Sequence, residues 1–392
     1  MQKRGNGEGS IRKRKDGRYE VRITGTSNGK TFRISRYAHT QEEATQLLHT
    51  LSVTMMQTPQ YFKDTITLAE WLDNWLEVYM RPVLKQSTYM SYETYARVHF
   101  KPALGQVRLQ DITSRMLQEF YNYKLMHEQL SPKSIINMNL YLHKALSQAM
   151  AEGLILSNPA SSLNLPRGTK PQIQVLTREQ QARLISASYQ HRYGVFIRLV
   201  LATGLRVGEL LGLRWQDIDT AAHMLYVRQT LGRYKRYDCE EEDDIHTEIV
   251  IQTPKSQNSI RSIPILPQLF QELMLWKQVQ AQDQMNAGSR YVFSGMVVTN
   301  EIGGYIEPRT FREYYHQILE LAGLPHFTFH ALRHTFATRA MEQGMDPKTL
   351  SILLGHYSVA FTLDTYAHVL DSQKWEAMKT MEALYMGSGQ IG

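Results

Sequence analysis

The segment HALRHTFATRAMEQG, residues 330–344, combines the apolar spacing of a helix with three side chains that bind charged ligands. Positions three and four apart are neighbours on a helix surface, so His330, Arg333 and His334 are expected on or near one face. Two histidines at this spacing also occur in helical zinc sites. The segment therefore predicts a helix that presents either a metal site or an anion site. The kind of site indicates the protein class to which the chain belongs.

The zinc hypothesis fits this segment poorly. A third ligand from Asp, Glu or His would be needed, and the glutamate that follows the first histidine in the helical zinc pattern is replaced by Ala331. Arg333 adds a fixed positive charge beside the proposed dication, because a guanidinium group does not lose its proton in proteins. We therefore expect an anion site that uses no metal ion and no other cofactor.

Three further segments hold polar residues that core packing does not require: ATGLRVGELLGL (202–213), TPKSQNSIRSIPI (253–265) and LLGHYSVAFTLDTYAHV (353–369). Their candidate functional residues are Arg206, Lys255, His356 and Tyr366. Each residue taken alone has a structural interpretation, such as an ion pair between Arg206 and Glu209 three positions later. Taken together with His330 and Arg333, they call for one explanation.

That explanation is covalent phosphoryl transfer. The planar forks of Arg206 and Arg333 match two phosphate oxygens, and preorganised cations are what a phosphodiester under attack requires. Lys255 has a removable proton, while Tyr366 supplies a nucleophile. The ordinary pKa of tyrosine is about 10, and two nearby guanidinium groups are expected to lower it.

In order and spacing, these four segments resemble the motifs of tyrosine recombinases of the phage-integrase family across residues 175–371. The resemblance implies that Tyr366 attacks the scissile phosphate, which forms a 3′-phosphotyrosyl bond and frees a 5′-hydroxyl. It also implies that Arg206 and Arg333 hold the non-bridging oxygens and that Lys255 protonates the leaving oxygen.

The same resemblance gives roles to the remaining polar residues of the motifs. His330 and His356 are expected to hydrogen-bond the phosphate and to assist proton transfer. Glu209 is expected to support the active-site arginine. His334 matches no catalytic position of the family and is expected to pack within the helix or to support its neighbours.

The N-terminal segment is strongly basic. Residues 1–36 carry a charge balance of +8, whereas the rest of the chain has a balance of −1, and nucleic acid is the first candidate partner. Three strands are predicted at GSIRKR (9–14), YEVRIT (19–24) and KTFRIS (30–35), with hairpin turns at the Asp-Gly and Asn-Gly pairs. A capping box at Thr40 and Glu43 then opens a helix.

The basic residues of this sheet could enter a DNA groove, as the strands of β-ribbon proteins do, although antiparallel sheets normally have one solvated polar face. The candidate DNA-binding residues are Arg12, Arg14, Arg18, Arg22 and Arg33, with Lys85 in the next domain. Residues 1–53 resemble the arm-binding domain of integrases from phages and conjugative transposons.

A helical domain follows a polar linker. The capping box Thr67 to Glu70 opens an amphipathic helix, and helical patterns follow near 87–100, 111–129 and 131–152, the last with Ser131 as N-cap and proline at the first helical position. This segment resembles the SAM-like core-binding domain of the family. In the larger third domain, helices are predicted at TREQQARLIS and VFIRLVLATGL and after Pro308, and strands at LYVRQTL, EIVIQTP and RSIPI.

We therefore predict a multidomain α+β protein: a small βββα domain, an all-helical domain, and a mixed, mainly α catalytic domain with a small antiparallel sheet. The boundaries are 1–53, linker 54–65, 66–160, linker 161–174, 175–371 and a tail over 372–392. The acidic run EEEDD (240–244) is expected in a hairpin loop, and the amphipathic tail is expected either to pack on its own domain or to dock on a neighbouring protomer.

The predicted function is site-specific recombination that integrates and excises a mobile element. The resemblance implies as its partners core-type and arm-type double-stranded DNA attachment sites, three further copies of the chain in a synaptic tetramer, and DNA-bending or excision accessory proteins. Two alternatives stay open: a type IB topoisomerase-like relaxing enzyme, and a non-enzymatic DNA-binding regulator in which Tyr366 is structural.

The composition points to a cytoplasmic protein, and the family resemblance implies a bacterial one that associates with the nucleoid when bound to DNA. The single cysteine, Cys239, excludes an internal disulfide framework. No run of about 18 uncharged apolar residues is present, so no membrane partner is expected. The basic start of the chain lacks the apolar stretch of a secretory signal.

Overall fold

The computed structural model of the chain describes residues 9–14, 16–27, 30–57, 66–168, 173–235, 247–253, 259–363, 365–366 and 378, without side-chain detail for 25–27, 30–34 and 54–57. The chain forms two compact units, Met1–Lys170 and Pro171–Gly392, and the division between them falls inside the predicted 161–174 linker. No helix among the described residues is both long enough and apolar enough to cross a membrane.

The first unit begins with the predicted βββα arrangement. Its elements are β1 (Ser10–Lys13), β2 (Tyr19–Ser27), β3 (Lys30–Ala38) and α1 (Gln41–Gln57). The strands pair in the antiparallel order β1-β2-β3, and α1 covers one face with a core that includes Val21, Ile23 and Leu51. The Glu43 carboxylate accepts from the Thr40 backbone N–H at 3.2 Å, and the Thr40 hydroxyl accepts from the Glu43 backbone N–H at 3.1 Å, which is the predicted capping box.

The rest of this unit is helical. Its elements are α2 (Leu68–Asn74) with a π-helical continuation Trp75–Met80, α3 (Gln86–Thr94) with a π-helical continuation Tyr95–Phe100, α4 (Lys101–Leu104), α5 (Ser114–Met126) and α6 (Pro132–Ala151). The capping box of α2 and the Ser131 cap of α6 are both present. The apolar stripe of α2 is buried from Leu68 to Leu76, and the Trp71 indole donates to the Ala145 carbonyl at 3.0 Å.

The second unit packs helices around two small sheets. Its helices are α7 (Arg178–Ser188), α8 (Gly194–Thr203), α9 (Val207–Leu211), α10 (Pro267–Ala287), α11 (Pro308–Leu321), α12 (Phe329–Glu342) and α13 (Pro347–Leu354). Its strands are β4 (Ile218–Asp219), β5 (Met224–Val227), β6 (Thr230–Lys235), β7 (Thr247–Gln252) and β8 (Arg261–Pro264). The antiparallel sheets are β4-β5-β8 and β6-β7. The predicted fold class is confirmed.

Two details of the sequence prediction for this unit are wrong. The segment LYVRQTL is not one strand, because β5 ends at Val227 and β6 begins at Thr230 in the other sheet. The 21-residue helix α10 was not predicted. Its buried stripe starts with Leu269, Leu273 and Trp276 but continues through Gln280 and Asp283, so the apolar periodicity fades halfway along the helix.

Three predicted features lie outside the described residues. They are Lys255 in its inter-strand turn, the acidic run 240–244, and the amphipathic C-terminal tail, of which only Met378 is described. The strands that flank the acidic run, β6 and β7, are paired antiparallel as a hairpin requires.

Candidate active site

Arg333 is a buried cation held by two helix ends. It lies on α12 with 2% of its surface exposed, and its guanidinium donates to the Gly204 carbonyl at 2.8 Å and to the Leu354 carbonyl at 2.7 Å. These carbonyls belong to the C-termini of α8 and α13, where the helix dipole is negative. Within the described residues no carboxylate is in direct contact with Arg333, so its hydrogen-bonding partners there are carbonyl dipoles.

Gly204 makes this arrangement possible. Its φ of +67° is left-handed, and a Cβ atom there would lie 2.7 Å from both Leu354 Cδ2 and Phe336 Cδ1. Any other residue would be strained in its backbone and would collide with its neighbours. Glycine therefore lets α8 end against α13 and leaves its carbonyl pointing at Arg333.

Arg206 is fixed by Glu209. The residue caps the N-terminus of α9, its backbone N–H donates to the Glu209 carboxylate at 2.9 Å, and its guanidinium donates to the same carboxylate at 2.7 Å. The Arg206 side chain stays 39% exposed. The predicted supporting role of Glu209 thus has a geometric basis, because the ion pair orients Arg206 without burying it.

Arg261 is a functional residue that the sequence analysis missed. It lies on β8 with its side chain buried, donates to both oxygens of Glu209 at 2.9 and 3.1 Å, and donates to the Leu353 carbonyl at 2.6 Å. Burial disfavours the charged form of Glu209, but hydrogen bonds and charge from Arg261 and Arg206 outweigh it and lower its pKa to about 2. A possible signal was an arginine at an inward position of a strand, alternating with Ile263.

The candidate nucleophile is buried beside α12. Tyr366 is 1% exposed, and its Oη lies 2.9 Å from Nδ1 of His334. His334, expected to be a packing or supporting residue, is therefore in direct contact with the tyrosine hydroxyl. Burial raises the pKa of Tyr366 to about 12. The charge of Arg333 lowers this pKa in the predicted direction, but burial outweighs it.

The remaining two histidines lie near the same cations. His330 lines a cavity of about 480 Å³ together with Arg206, and Arg312, His316 and His326 complete its basic wall. Desolvation and the charges of Arg333 and Arg206 lower the pKa of His330.

His356 follows Gly355, which ends α13 in a left-handed conformation. Its Nδ1 lies 2.7 Å from the Thr362 hydroxyl. Desolvation, followed by the charges of Arg333, Arg206, Arg261 and His330, lowers the pKa of His356 to about 3. Both histidines are therefore neutral at pH 7 and add hydrogen-bonding capacity without charge.

The second unit thus brings together five of the six predicted catalytic residues, and the sixth, Lys255, lies outside the described residues. Arg206 and Arg261 both pair with the carboxylate of Glu209, whereas Arg333 is held by backbone carbonyls and pairs with no carboxylate among the described residues. The site therefore carries excess positive charge. Among the described residues, no group of three or more His, Cys, Asp or Glu side chains is placed to hold a metal ion.

The predicted DNA-binding residues of the N-terminal sheet fall into two groups. By strand register, Arg12, Arg22 and Arg33 share the face opposite Val21 and Ile23, although the side chain of Arg33 is not described. Arg14 and Arg18 lie over the ring of Tyr37, 5.2 and 5.5 Å from its centroid, and both pair with Asp16. Lys85 is the N-cap residue of α3.

The sequence profile of the phage integrase family matches residues 174–373, just over half of the chain. The chain belongs to this family. A second profile, the N-terminal SAM-like domain of phage integrases, matches residues 67–125 of the same integrase. The integrase is accordingly a site-specific recombinase of the tyrosine type, as the motifs predicted.

Relatives of this integrase match over nearly their whole length. A tyrosine recombinase XerC-like protein of Caldanaerobacter subterraneus subsp. tengcongensis is 32% identical, over 95% of this chain and 98% of the relative. The ICEBs1 integrase of Bacillus subtilis is 24% identical, over 96% of this chain and 100% of the relative. The structure of the Tn1549 transposon integrase with circular intermediate DNA is similar, with a TM-score of 0.66, 23% identity, and 80% of this chain and 99% of that chain covered.

Proposed function

We propose that this integrase inserts and excises a mobile genetic element, with Tyr366 as its nucleophile. The observation that carries the assignment is the charge of the site: two guanidinium groups pair with one carboxylate, and a third, Arg333, is buried near Tyr366 with only carbonyl partners among the described residues. A phosphodiester gains negative charge on its non-bridging oxygens when it is attacked. Preorganised excess positive charge stabilises that transition state more than the ground state.

In the proposed reaction the Tyr366 oxygen attacks the scissile phosphorus, the 3′-phosphotyrosyl bond forms, and the bond to the 5′-oxygen breaks. Arg333 and Arg206 hold the two non-bridging oxygens. Arg333 is rigid because the carbonyls of Gly204 and Leu354 fix both of its terminal nitrogens. Arg206 is half-exposed at the cavity, where an incoming phosphate can reach it.

His330, His356 and Lys255 complete the proposed set. His330 lines the cavity with Arg206, so it donates a hydrogen bond to the phosphate held there. The neutral ring of His356 hydrogen-bonds the phosphate from the end of α13. Lys255, between β7 and β8, protonates the leaving 5′-oxygen. One phosphorus–oxygen ester bond forms as another of similar energy breaks, so a second 5′-hydroxyl can reverse the step without nucleotide hydrolysis.

The number of strands sets the proposed assembly. Exchange between two duplexes cuts four strands, and each protomer supplies one Tyr366, so four copies of the chain are needed for a complete round. DNA is the substrate. Core-type sites are bound by the helical domain and the second unit, while the basic N-terminal sheet binds arm-type sites. Accessory bending and excision proteins complete the partner set, and the reaction takes place on the bacterial chromosome.

Two similarities support the mobile-element role. One relative is named as the integrase of ICEBs1, and the structural neighbour is named as the integrase of the transposon Tn1549. A topoisomerase-like relaxing enzyme requires the same tyrosine but has no use for a separate basic sheet. A non-enzymatic regulator requires the sheet but has no use for unneutralised buried arginine beside a tyrosine.

Capture of the covalent intermediate tests the proposal. The full-length integrase is incubated with a nicked duplex that carries the attachment junction amplified from the host, and adducts are separated under denaturing conditions. Wild type is expected to give a protein–DNA adduct on the 3′-phosphate side of the cut, without added magnesium. Tyr366→Phe is expected to give none while binding the duplex with unchanged affinity. Absence of the adduct from wild type contradicts the enzymatic role.

A further inference from the structure

The hydroxyl of Tyr366 has a basic partner to which neither the motifs nor the family resemblance assigns a role. Nδ1 of His334 lies 2.9 Å from Oη, and the two rings are inclined by 60° with centroids 5.9 Å apart. Among the described residues, no other basic side chain forms a hydrogen bond with this hydroxyl. A nucleophile and its base are recognised by this kind of contact.

The groups around His334 keep it neutral before substrate arrives. On its own helix it faces His330, whose ring centroid is 4.6 Å away, and Arg333; from the C-terminal segment it faces Tyr366. Burial, followed by the charges of His330 and Arg333, lowers the pKa of His334 to about 4. A neutral ring with its proton on Nε2 leaves the Nδ1 lone pair free to accept from Tyr366.

Substrate binding favours the protonated form of His334 and therefore favours proton transfer from Tyr366. The scissile phosphate places negative charge between Arg206 and Arg333, which offsets the repulsion that disfavours a protonated His334. As the bond from Oη to phosphorus forms, electron density leaves the phenol oxygen and its proton becomes acidic. The base is therefore weak at rest and effective only with phosphate in place.

His330 is less suited to this task, although it lies one turn earlier on α12. It lines the cavity with Arg206, where the phosphate is expected, and no hydrogen bond links it to Tyr366 among the described residues. Of the two histidines of HALRH, His330 is therefore expected to contact the phosphate and His334 the nucleophile.

Building on the proposed function, we propose that His334 is the general base for Tyr366. Nδ1 takes the phenolic proton as the Oη–phosphorus bond forms and the bond from phosphorus to the 5′-oxygen breaks. The leaving oxygen takes its own proton from Lys255. In the rejoining step the 5′-hydroxyl attacks phosphorus, its proton returns to Lys255, and His334 gives its proton back to the departing Tyr366 oxygen.

His334→Asn separates proton transfer from positioning. An asparagine amide oxygen lies close to the place of Nδ1 and accepts from Tyr366, but it does not take up the proton. His223→Asn is the matched control in the same unit, because His223 adopts φ +52°, a conformation that asparagine tolerates, and its ring stacks on Phe270.

The measurement is single-turnover adduct formation by full-length protein on the nicked duplex, from pH 6 to 10. His334→Asn is expected to lose roughly a hundredfold at pH 7, the usual contribution of a general base. Its rate is expected to rise about tenfold per pH unit as hydroxide replaces the base, while duplex affinity and melting temperature stay unchanged. Wild type and His223→Asn are expected to be fast at pH 7 and to lack this rise.

A second variant keeps the test decisive if asparagine disturbs the fold. His334→Ala supplemented with substituted imidazoles is expected to regain adduct formation, at rates that increase with the pKa of the added imidazole. A rate of adduct formation by His334→Asn within threefold of the wild-type rate overturns the assignment. So does a slow variant whose rate does not depend on pH and is not restored by imidazoles. An adduct from His223→Asn in the same experiment shows that the recombinase chemistry itself stands.

Discussion

The Glu209 carboxylate fixes the side-chain positions of two arginines at the candidate active site. Its carboxylate binds Arg261 through both oxygens and Arg206 through side chain and backbone. Arg261 in turn is tied to the Leu353 carbonyl, next to the carbonyl that holds Arg333. The carboxylate is nearly fully buried, so removing it would leave buried Arg261 without a counter-charge, which is strongly destabilising.

The ionisation of Glu209 predicts a stability that depends on pH. Its pKa is about 2 in the folded chain against an ordinary 4.5, so its contribution is fully present above pH 4.5 and is lost as the pH falls towards 2. That difference corresponds to about 3 kcal/mol. Glu209→Gln is expected to lower the free energy of unfolding of the second unit by roughly this amount at pH 7, measured by urea titration.

The matched control is Glu313→Gln, which removes an exposed carboxylate paired with Arg309 on α11. It is expected to change the free energy of unfolding by less than about 0.5 kcal/mol. Repeating both titrations at low pH is expected to shrink the deficit of Glu209→Gln relative to wild type. An equal deficit at pH 7 and pH 2 would contradict the assignment of the low pKa.

At the residue scale, the sequence was informative where side-chain chemistry is unusual. Two arginines, two histidines, a lysine and a tyrosine in four short motifs could be recognised because core packing does not require them. Arg261 could not, since one arginine in RSIPI looks like ordinary strand surface until its partner is known. The lowering of the pKa of Tyr366 by Arg333 could be predicted, but the burial that outweighs it could not, because burial depends on tertiary packing.

At the scale of elements, the site is built where helices end. α8 and α13 both end at left-handed glycines, Gly204 and Gly355. The last carbonyls of these helices accept from Arg333, and a cation at a helix C-terminus is favourable. The two helix ends therefore supply counter-charge to Arg333 with no carboxylate in direct contact among the described residues.

Gly204→Ala tests this arrangement against Gly295→Ala. Both glycines have positive φ, near +70°, but the space around Gly295 is empty to 4 Å whereas a Cβ at Gly204 overlaps Leu354 and Phe336. Gly295→Ala is expected to cost about 1 kcal/mol for the backbone alone, and Gly204→Ala about 3 kcal/mol because crowding adds to it. Calorimetric unfolding measures the difference.

The same pair predicts a difference in chemistry. Gly204→Ala displaces a carbonyl that holds Arg333, so adduct formation on the nicked duplex is expected to fall at least tenfold, while Gly295→Ala leaves it unchanged. Equal activity of the two variants would mean that Arg333 does not depend on the end of α8.

Which elements could be predicted depended on how local their signals are. Some helix starts have local signals, because the residues that form them are neighbours in sequence. Examples are the capping boxes at Thr67 and Thr177 and the Ser131-Pro132 start of α6, all of which agree with the predicted helices. Helix α10 was missed because half of its buried stripe is polar. Gln280 there accepts from the Trp215 indole at 2.8 Å and Asp283 pairs with Arg192, partners that the sequence does not reveal.

At the scale of the whole molecule, the basic N-terminal segment and the proposed catalytic motifs lie in different parts of the sequence. The first 36 residues carry a balance of +8 within a net charge of +7, whereas the catalytic motifs begin beyond residue 200. Affinity from phosphate contacts is nonspecific and falls with salt. We therefore expect arm-site affinity and covalent chemistry to respond to separate substitutions.

Arg12→Ala and Arg36→Ala test this separation within one sheet. By register Arg12 lies opposite Glu20 on the open face, whereas Arg36 lies opposite Val21 on the face covered by α1. Each phosphate contact contributes about 0.9 to the slope of log affinity against log salt. Arg12→Ala is therefore expected to reduce that slope by about one on arm-site duplex, measured by fluorescence anisotropy, and Arg36→Ala to leave it unchanged.

Both variants are expected to form the Tyr366 adduct on the nicked core-site duplex at the wild-type rate. A slope reduced equally by both would assign the effect to net charge rather than to the open face of the sheet.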